Sequence, residues 1–127
     1  MPANVQFLLE RNVLYFVYQD PLSLADIESS LAVFPARLEQ ATAPLHSIFD
    51  VTRLTLLPPK VLSTFMAKRA LYEAMLIHPR RGVSLIVTGS SLISAVVNIA
   101  AQYFATEKVM VMRTLADAWS EIDRLNS

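Results

Sequence analysis

The sequence contains no cysteine. That absence excludes disulfides, thiolate zinc sites, iron–sulfur clusters and cysteine nucleophiles. It agrees with a reducing compartment, and we expect a cytoplasmic protein. Charge is scarce and balanced: 11 basic residues against 11 acidic ones, a net charge of zero, with charged residues making up 17% of the chain. Phosphate-backbone binding needs a basic excess, so no nucleic-acid partner is expected. Histidine occurs only at His46 and His78. These are not at metal-ligand spacing, so neither a metal site nor any other cofactor is expected. The two glycines, Gly82 and Gly89, form no phosphate-binding loop. Long hydrophobic runs are also missing. The longest apolar stretch, residues 92–105, is broken by Ser94, Asn98 and Gln102, and falls short of the roughly 18–20 residues a membrane-spanning helix needs. The opening Met1-Pro2-Ala3-Asn4 lacks the basic start and apolar core of a signal peptide. Membrane insertion is not expected.

What remains is unusually apolar. Of 127 residues, 54% are hydrophobic. A chain of this length fits one domain, residues 1–127, which buries roughly two-thirds of its unfolded surface. So much apolar content implies a sheet covered on much of both faces, or apolar surface left over for a partner.

Residues 5–9 and 13–18 are rich in β-branched and aromatic side chains and are separated by Glu10-Arg11-Asn12. They read as a hairpin, stopped by Asp20-Pro21. Ser23 with Asp26 three residues on signals a capped helix start. Leu24, Ile27, Leu31, Phe34, Leu38 and Ala41 then share one helical stripe. Pro35 must kink or split that helix. Residues 45–51 read as a third strand and residues 52–59 as a loop, with Pro58 or Pro59 opening a helix over about 60–77. Pro79 ends it and Gly82 marks the turn. Residues 83–87 form the near-continuous apolar run of a strand buried on both faces. A helix follows over 90–104, then a strand over 109–112. Thr114 caps a last helix whose buried stripe is Leu115, Ala118, Trp119, Ile122 and Leu125. The expected order is β-β-α-β-α-β-α-β-α: an α/β fold with a mixed, mostly parallel sheet of about five strands, an N-terminal hairpin and four helices.

Ligands of parallel sheets gather at the carboxyl edge of the strands. Here that edge collects Asp50, Thr52, Arg53, Ser90, Ser91 and Arg113 as candidate ligand-binding residues. Asp50 has no second acid or histidine nearby in the chain, and its plainer reading is a brace for its own loop. Gly89-Ser90-Ser91 offers a helix start to an anion, though a serine N-cap explains it as well. Lys68-Arg69 and Arg80-Arg81 offer basic surface to acidic partners, or simply solubility and pairing with helix C-termini. The two histidines read as structural. No catalytic residue is assigned. The helix over 90–104 is apolar around most of its circumference, with a narrow polar stripe at Ser91, Ser94, Asn98 and Gln102. One face packs on the sheet. The excess must meet a neighbouring helix, a second chain or, less readily, a buried lipid or other apolar ligand.

Two segments carry a family resemblance. Ser47-Ile48-Phe49-Asp50-Val51-Thr52 is similar to the strand that ends in aspartate in STAS domains of bacterial anti-sigma-factor antagonists. Residues 108–119, Lys-Val-Met-Val-Met-Arg-Thr-Leu-Ala-Asp-Ala-Trp, resemble the last strand and helix of SpoIIAA-like proteins. The element order extends the likeness over nearly the whole chain, which also resembles STAS/SEC14-type cytoplasmic proteins. The resemblance implies a non-enzymatic regulatory module of bacterial signalling that works by binding another protein. The apolar excess adds the expectation of a homodimer. Family members under kinase control carry an Asp-Ser-Ser-Gly-like stretch after the third strand, where this chain has Leu57-Pro58-Pro59-Lys60. Thr52 and Thr55 do not match that motif, so no phosphorylation site is carried over. The alternative function is a binder of a small apolar or anionic ligand at the carboxyl edge of the sheet.

Overall fold

The computed structural model describes residues 2–127. The elements are β1 (Ala3–Leu8), β2 (Val13–Gln19), α1 (Leu24–Leu31), α2 (Phe34–Gln40), β3 (Leu45–Arg53), α3 (Val61–Ala67), α4 (Arg69–Leu76), β4 (Arg81–Val87), α5 (Ser91–Tyr103), β5 (Val109–Met112) and α6 (Leu115–Asn126). The strands form one sheet in chain order, β1-β2-β3-β4-β5. β1 runs antiparallel to β2, and every later neighbour is parallel. The expected mixed, mostly parallel sheet with an N-terminal hairpin is present.

Four helices were expected and six are found among the described residues, because two of the four are broken. The first breaks between Leu31 and Phe34, with Pro35 at the start of α2, where a proline ring is tolerated. The second breaks at Lys68, which leaves helical geometry at φ −101° and ψ 33°. No proline or glycine announces that break. Lys68 instead reaches across to α1, its Nζ 2.5 Å from the Glu28 carboxylate. Three further expectations are corrected. Neither Pro58 nor Pro59 opens α3, whose N-cap is Lys60 in the left-handed region at φ 65°. Gly82 lies inside β4 and not in a turn. Leu125 is partly exposed at the end of α6 and is not a core residue.

Topology decides which face each helix covers. Three successive crossovers step from β2 to β3, β4 and β5 in one direction. Right-handed crossovers that all step the same way lay their helices on the same face. The core on that face joins Leu14, Phe16 and Tyr18 of β2 to Phe49 and Val51 of β3, under Ile27, Phe34, Leu38 and Ile93 from the helices. Its centre is aromatic: Phe16 stacks on Phe49 at 4.2 Å and on Phe34 at 5.5 Å. Only α6, which follows the last strand, returns to the opposite face. It seals Val13, Ile48, Leu85 and Val87 beneath Ala118 and Ile122.

The capping signals are realised. Ser23 Oγ accepts from the Asp26 amide and Asp26 accepts in return from the Ser23 amide. Ser90 and Thr114 accept from the amides of Ile93 and Asp117. No helix among the described residues is long and apolar enough to cross a membrane.

Candidate functional site

Of the residues expected at the carboxyl edge, Asp50, Thr52 and Ser90 are engaged in local hydrogen bonds. Asp50 Oδ1 accepts from both the Thr52 amide, at 3.0 Å, and the Thr52 hydroxyl, at 2.6 Å. The register of β3 against β2 shifts there, between Val17 and Gln19, and an extra residue in a strand leaves an amide without a ladder partner. Asp50 supplies that partner. Ser90 is the N-cap of α5, and its own amide donates to Thr88 Oγ1 at 3.0 Å. Arg53, Ser91 and Arg113 are exposed. Burial raises the Tyr15 hydroxyl above its ordinary pKa, helped by the neighbouring Asp50 carboxylate and opposed by Arg53. Tyr15 and Asp50 are therefore neighbours on the α6 face of the sheet. Among the described residues no cluster of histidine, aspartate and glutamate can hold a metal ion.

A cavity of about 210 Å³ lies elsewhere, between the helix-rich face of the sheet and α1, α3, α4 and α5. Its walls are nearly all apolar: Leu31 of α1, Val61 and Phe65 of α3, Met75 of α4, Val97 and Ala100 of α5 among them. Water gains little from such walls, so a space of this kind suits an apolar occupant. Its outer cover is lightly built. α3 contains no fully buried residue, α4 only Tyr72, and neither has a side-chain cap at its start. Much of the apolar excess of α5 is now accounted for. Ile93, Val96, Val97, Ala100 and Phe104 face the cavity. Leu92 and Ile99 point outward, 65% and 47% exposed, with Tyr103 beside them.

One wall of the cavity is charged. Arg81 lines it and is only 7% exposed. Strand alternation alone would put residues 81 and 84 on opposite faces. A bulge prevents this. Leu45 pairs with Arg81 and Ser47 with Ser84, so Gly82 and Val83 together oppose the single residue His46. The extra residue turns Arg81 onto the Ser84 side. On the other side of the sheet His46 accepts the displaced Val83 amide at Nδ1, at 3.0 Å. The guanidinium lies 4.5 Å above the Phe34 ring and donates through Nη2 to Ser84 Oγ, which in turn shares a 2.6 Å hydrogen bond with Ser47 Oγ. Its Nε is buried without a partner. Burial pushes the Arg81 pKa down to about 10, so it is still cationic at neutral pH. Arg80-Arg81 is thus not one basic patch: Arg80 is exposed and Arg81 is inside. At the far end of the cavity Tyr18 shares a 2.5 Å hydrogen bond with Ser30 Oγ. Burial lifts the Tyr18 hydroxyl well above its usual range, against the pull of that bond.

Sequence reasoning read Arg81 as basic surface beside Arg80 and did not single out Ser84 or Ser47 as site residues. The available signal was an arginine and a serine in an otherwise apolar strand. The signal for which face they occupy was not in the pattern, because the bulge reverses it.

No family model matches the sequence, and no curated protein matches it. Among solved structures, the chain is similar to an uncharacterised protein of the DUF3478 family from Shewanella loihica PV-4, described as having a SpoIIAA-like fold. The two share 16% identity, the match covers 94% of this chain and 91% of that one, and the TM-score is 0.63. The fold of this chain is SpoIIAA-like, as the sequence resemblance implied.

Proposed function

We propose that this domain is a non-enzymatic binding module that holds a small apolar ligand in the cavity under α3, α4 and α5. The observation that carries the reading is a nearly all-apolar, partly open space of about 210 Å³ under the helices, on a face that close packing would otherwise have filled. An engineered apolar cavity of roughly 150 Å³ stays dry and takes up benzene. This differs from the expected location: the ligand lies against the face of the sheet and not at its carboxyl edge. The regulatory role in bacterial signalling that the fold resemblance implies joins the same proposal, as does a cytoplasmic location. Ligand occupancy would fix α3 and α4 and so change the surface offered to a protein partner. Octanol titrated into the full chain is expected to raise Tm through preferential binding to the folded state. Val97→Phe, which fills the cavity, is expected to abolish that rise. A wild-type Tm that does not respond to octanol would remove the reading.

A second reading is self-association through the outer stripe of α5. It is favoured by Leu92, Ile99 and Tyr103, exposed at helical spacing on one side of the helix. Sedimentation equilibrium is expected to show a dimer that Ile99→Glu converts to monomer. A wild-type monomer across the concentration range would end this reading and leave the first untouched.

A further inference from the structure

The walls of the cavity described above are mostly apolar, with Ser84, Thr106 and the Tyr18 and Tyr72 side chains among them, and they include one cation that has no acid. Among the described residues no carboxylate pairs with Arg81, and desolvation is the only influence on its pKa. Burying a charge is costly unless it is paired and hydrogen-bonded. What holds the guanidinium in place is partial: the Phe34 face beneath it and the Ser84 hydroxyl beside it. The Nε–H is left over. A guanidinium is the side chain best matched to the oxygens of a carboxylate.

We propose that the ligand of this cavity is a small carboxylic acid with an apolar tail, its carboxylate held by Arg81 beside Ser84. This rests on the reading that the cavity is a ligand site. The placement fits the class. Arg81 sits at the amino end of the sheet, level with Leu45 in the register, and the lining continues along β3 to Val51. At ~3.3 Å per residue those levels are about 20 Å apart. The acid's head therefore has one polar anchorage and its tail has apolar wall beyond it. A phosphate ester fits less well. It carries more charge than one guanidinium answers, and the helix start at Ser90 that would add amide donors lies at the opposite edge of the sheet. A neutral hydrocarbon fills the volume but leaves the cation unpaired.

The test is isothermal titration calorimetry on the full chain with octanoate, methyl octanoate and octanol. The three share a chain length and differ in head group. Octanoate is expected to bind about tenfold or more tightly than either neutral probe, the factor a charge-assisted hydrogen-bonded pair supplies. In Arg81→Met the acid's advantage is expected to vanish while octanol still binds. Equal affinities of the three probes for wild type would overturn the carboxylate assignment and leave the apolar site standing. Absence of binding by all three would overturn both. Persistence of the acid's advantage in a folded Arg81→Met would also overturn the assignment to Arg81. If that variant does not fold, the comparison of acid with ester on wild type decides the matter alone.

Discussion

His46 and Gly82 are a matched pair, and neither role follows from its residue type alone. Gly82 is not needed for a positive φ; it is needed because the His46 ring occupies the space of a side chain. A Cβ at position 82 would meet three ring atoms of His46, with even Cγ only 3.0 Å away. The ring cannot easily yield, being 6% exposed and held by the Val83 amide. Gly82→Ala is therefore expected to cost about 1–3 kcal/mol, the usual range for overpacking, measured by urea unfolding. His46 also links stability to pH. Burial lowers its pKa below the ordinary value, opposed by a hydrogen bond with Asn126. The folded state favours the neutral ring, whose Nδ1 must accept from Val83. The unfolded chain takes up its proton first, near pH ~6.5. The stability contributed by neutral His46 is thus intact above that value and falls as pH drops through it toward the lower folded pKa. A urea midpoint that falls between about pH 7.5 and 5.5 in wild type is expected to fall less in His46→Gln. Equal slopes for the two proteins would mean that other groups carry the acid sensitivity.

At the scale of elements, the helices divide into firm and light ones. α1 starts with a reciprocal capping box, α5 and α6 with side-chain caps. α3 and α4 have none, and α3 has no fully buried residue. Their ties include the Phe65–Tyr72 contact at 4.7 Å, Arg69 over the Tyr103 ring at 5.2 Å, partly buried Val61, Phe65 and Met75 against the core, and the Lys68–Glu28 ion pair. The Lys68–Glu28 pair is half-exposed on both sides, and exposed pairs contribute only ~0–1 kcal/mol. Few buried contacts and uncapped ends mark segments of low local stability. Amides of α3 and α4 are therefore expected to exchange with solvent faster than those of α1 and α5, and to slow when octanoate saturates the cavity. Uniform protection across the helices, unchanged by octanoate, would show that α3 and α4 are not the cover through which a ligand enters.

At the scale of the molecule, one directional rule explains the uneven layering. Every crossover after β2 steps the same way, so α1 to α5 crowd one face and α6 serves the other alone. The crowded face carries the cavity, under helices joined by breaks at Leu31–Phe34 and at Lys68. The thinner face keeps Tyr15 and Trp119 in tilted contact at 5.9 Å, with Arg11 over the indole at 4.7 Å. That cluster packs α6 onto β2 and gives Trp119 a packing role that its position in the helical stripe already indicated.

The sequence alone determined the strands, the hairpin, the capped starts at Ser23, Ser90 and Thr114, and the break at Pro35. Each of these rests on local chemistry: β-branched and aromatic runs, a hydroxyl within reach of an amide two or three residues on, a ring that cannot continue a helix. It also indicated the mixed sheet, because alternating strands and helices favour crossovers between parallel strands. The break at Lys68, the cavity and the position of Arg81 were settled only in the tertiary structure. Lys68 leaves the helix beside an acid 40 positions earlier in the chain, which no local pattern contains. Arg81 faces the cavity because β4 carries one residue more than β3 opposite His46. Alternation reads a strand as regular, and a bulge is a property of two strands in register. The side chain that carries the proposed chemistry was therefore visible in the sequence, while the direction in which it points was decided by its neighbour.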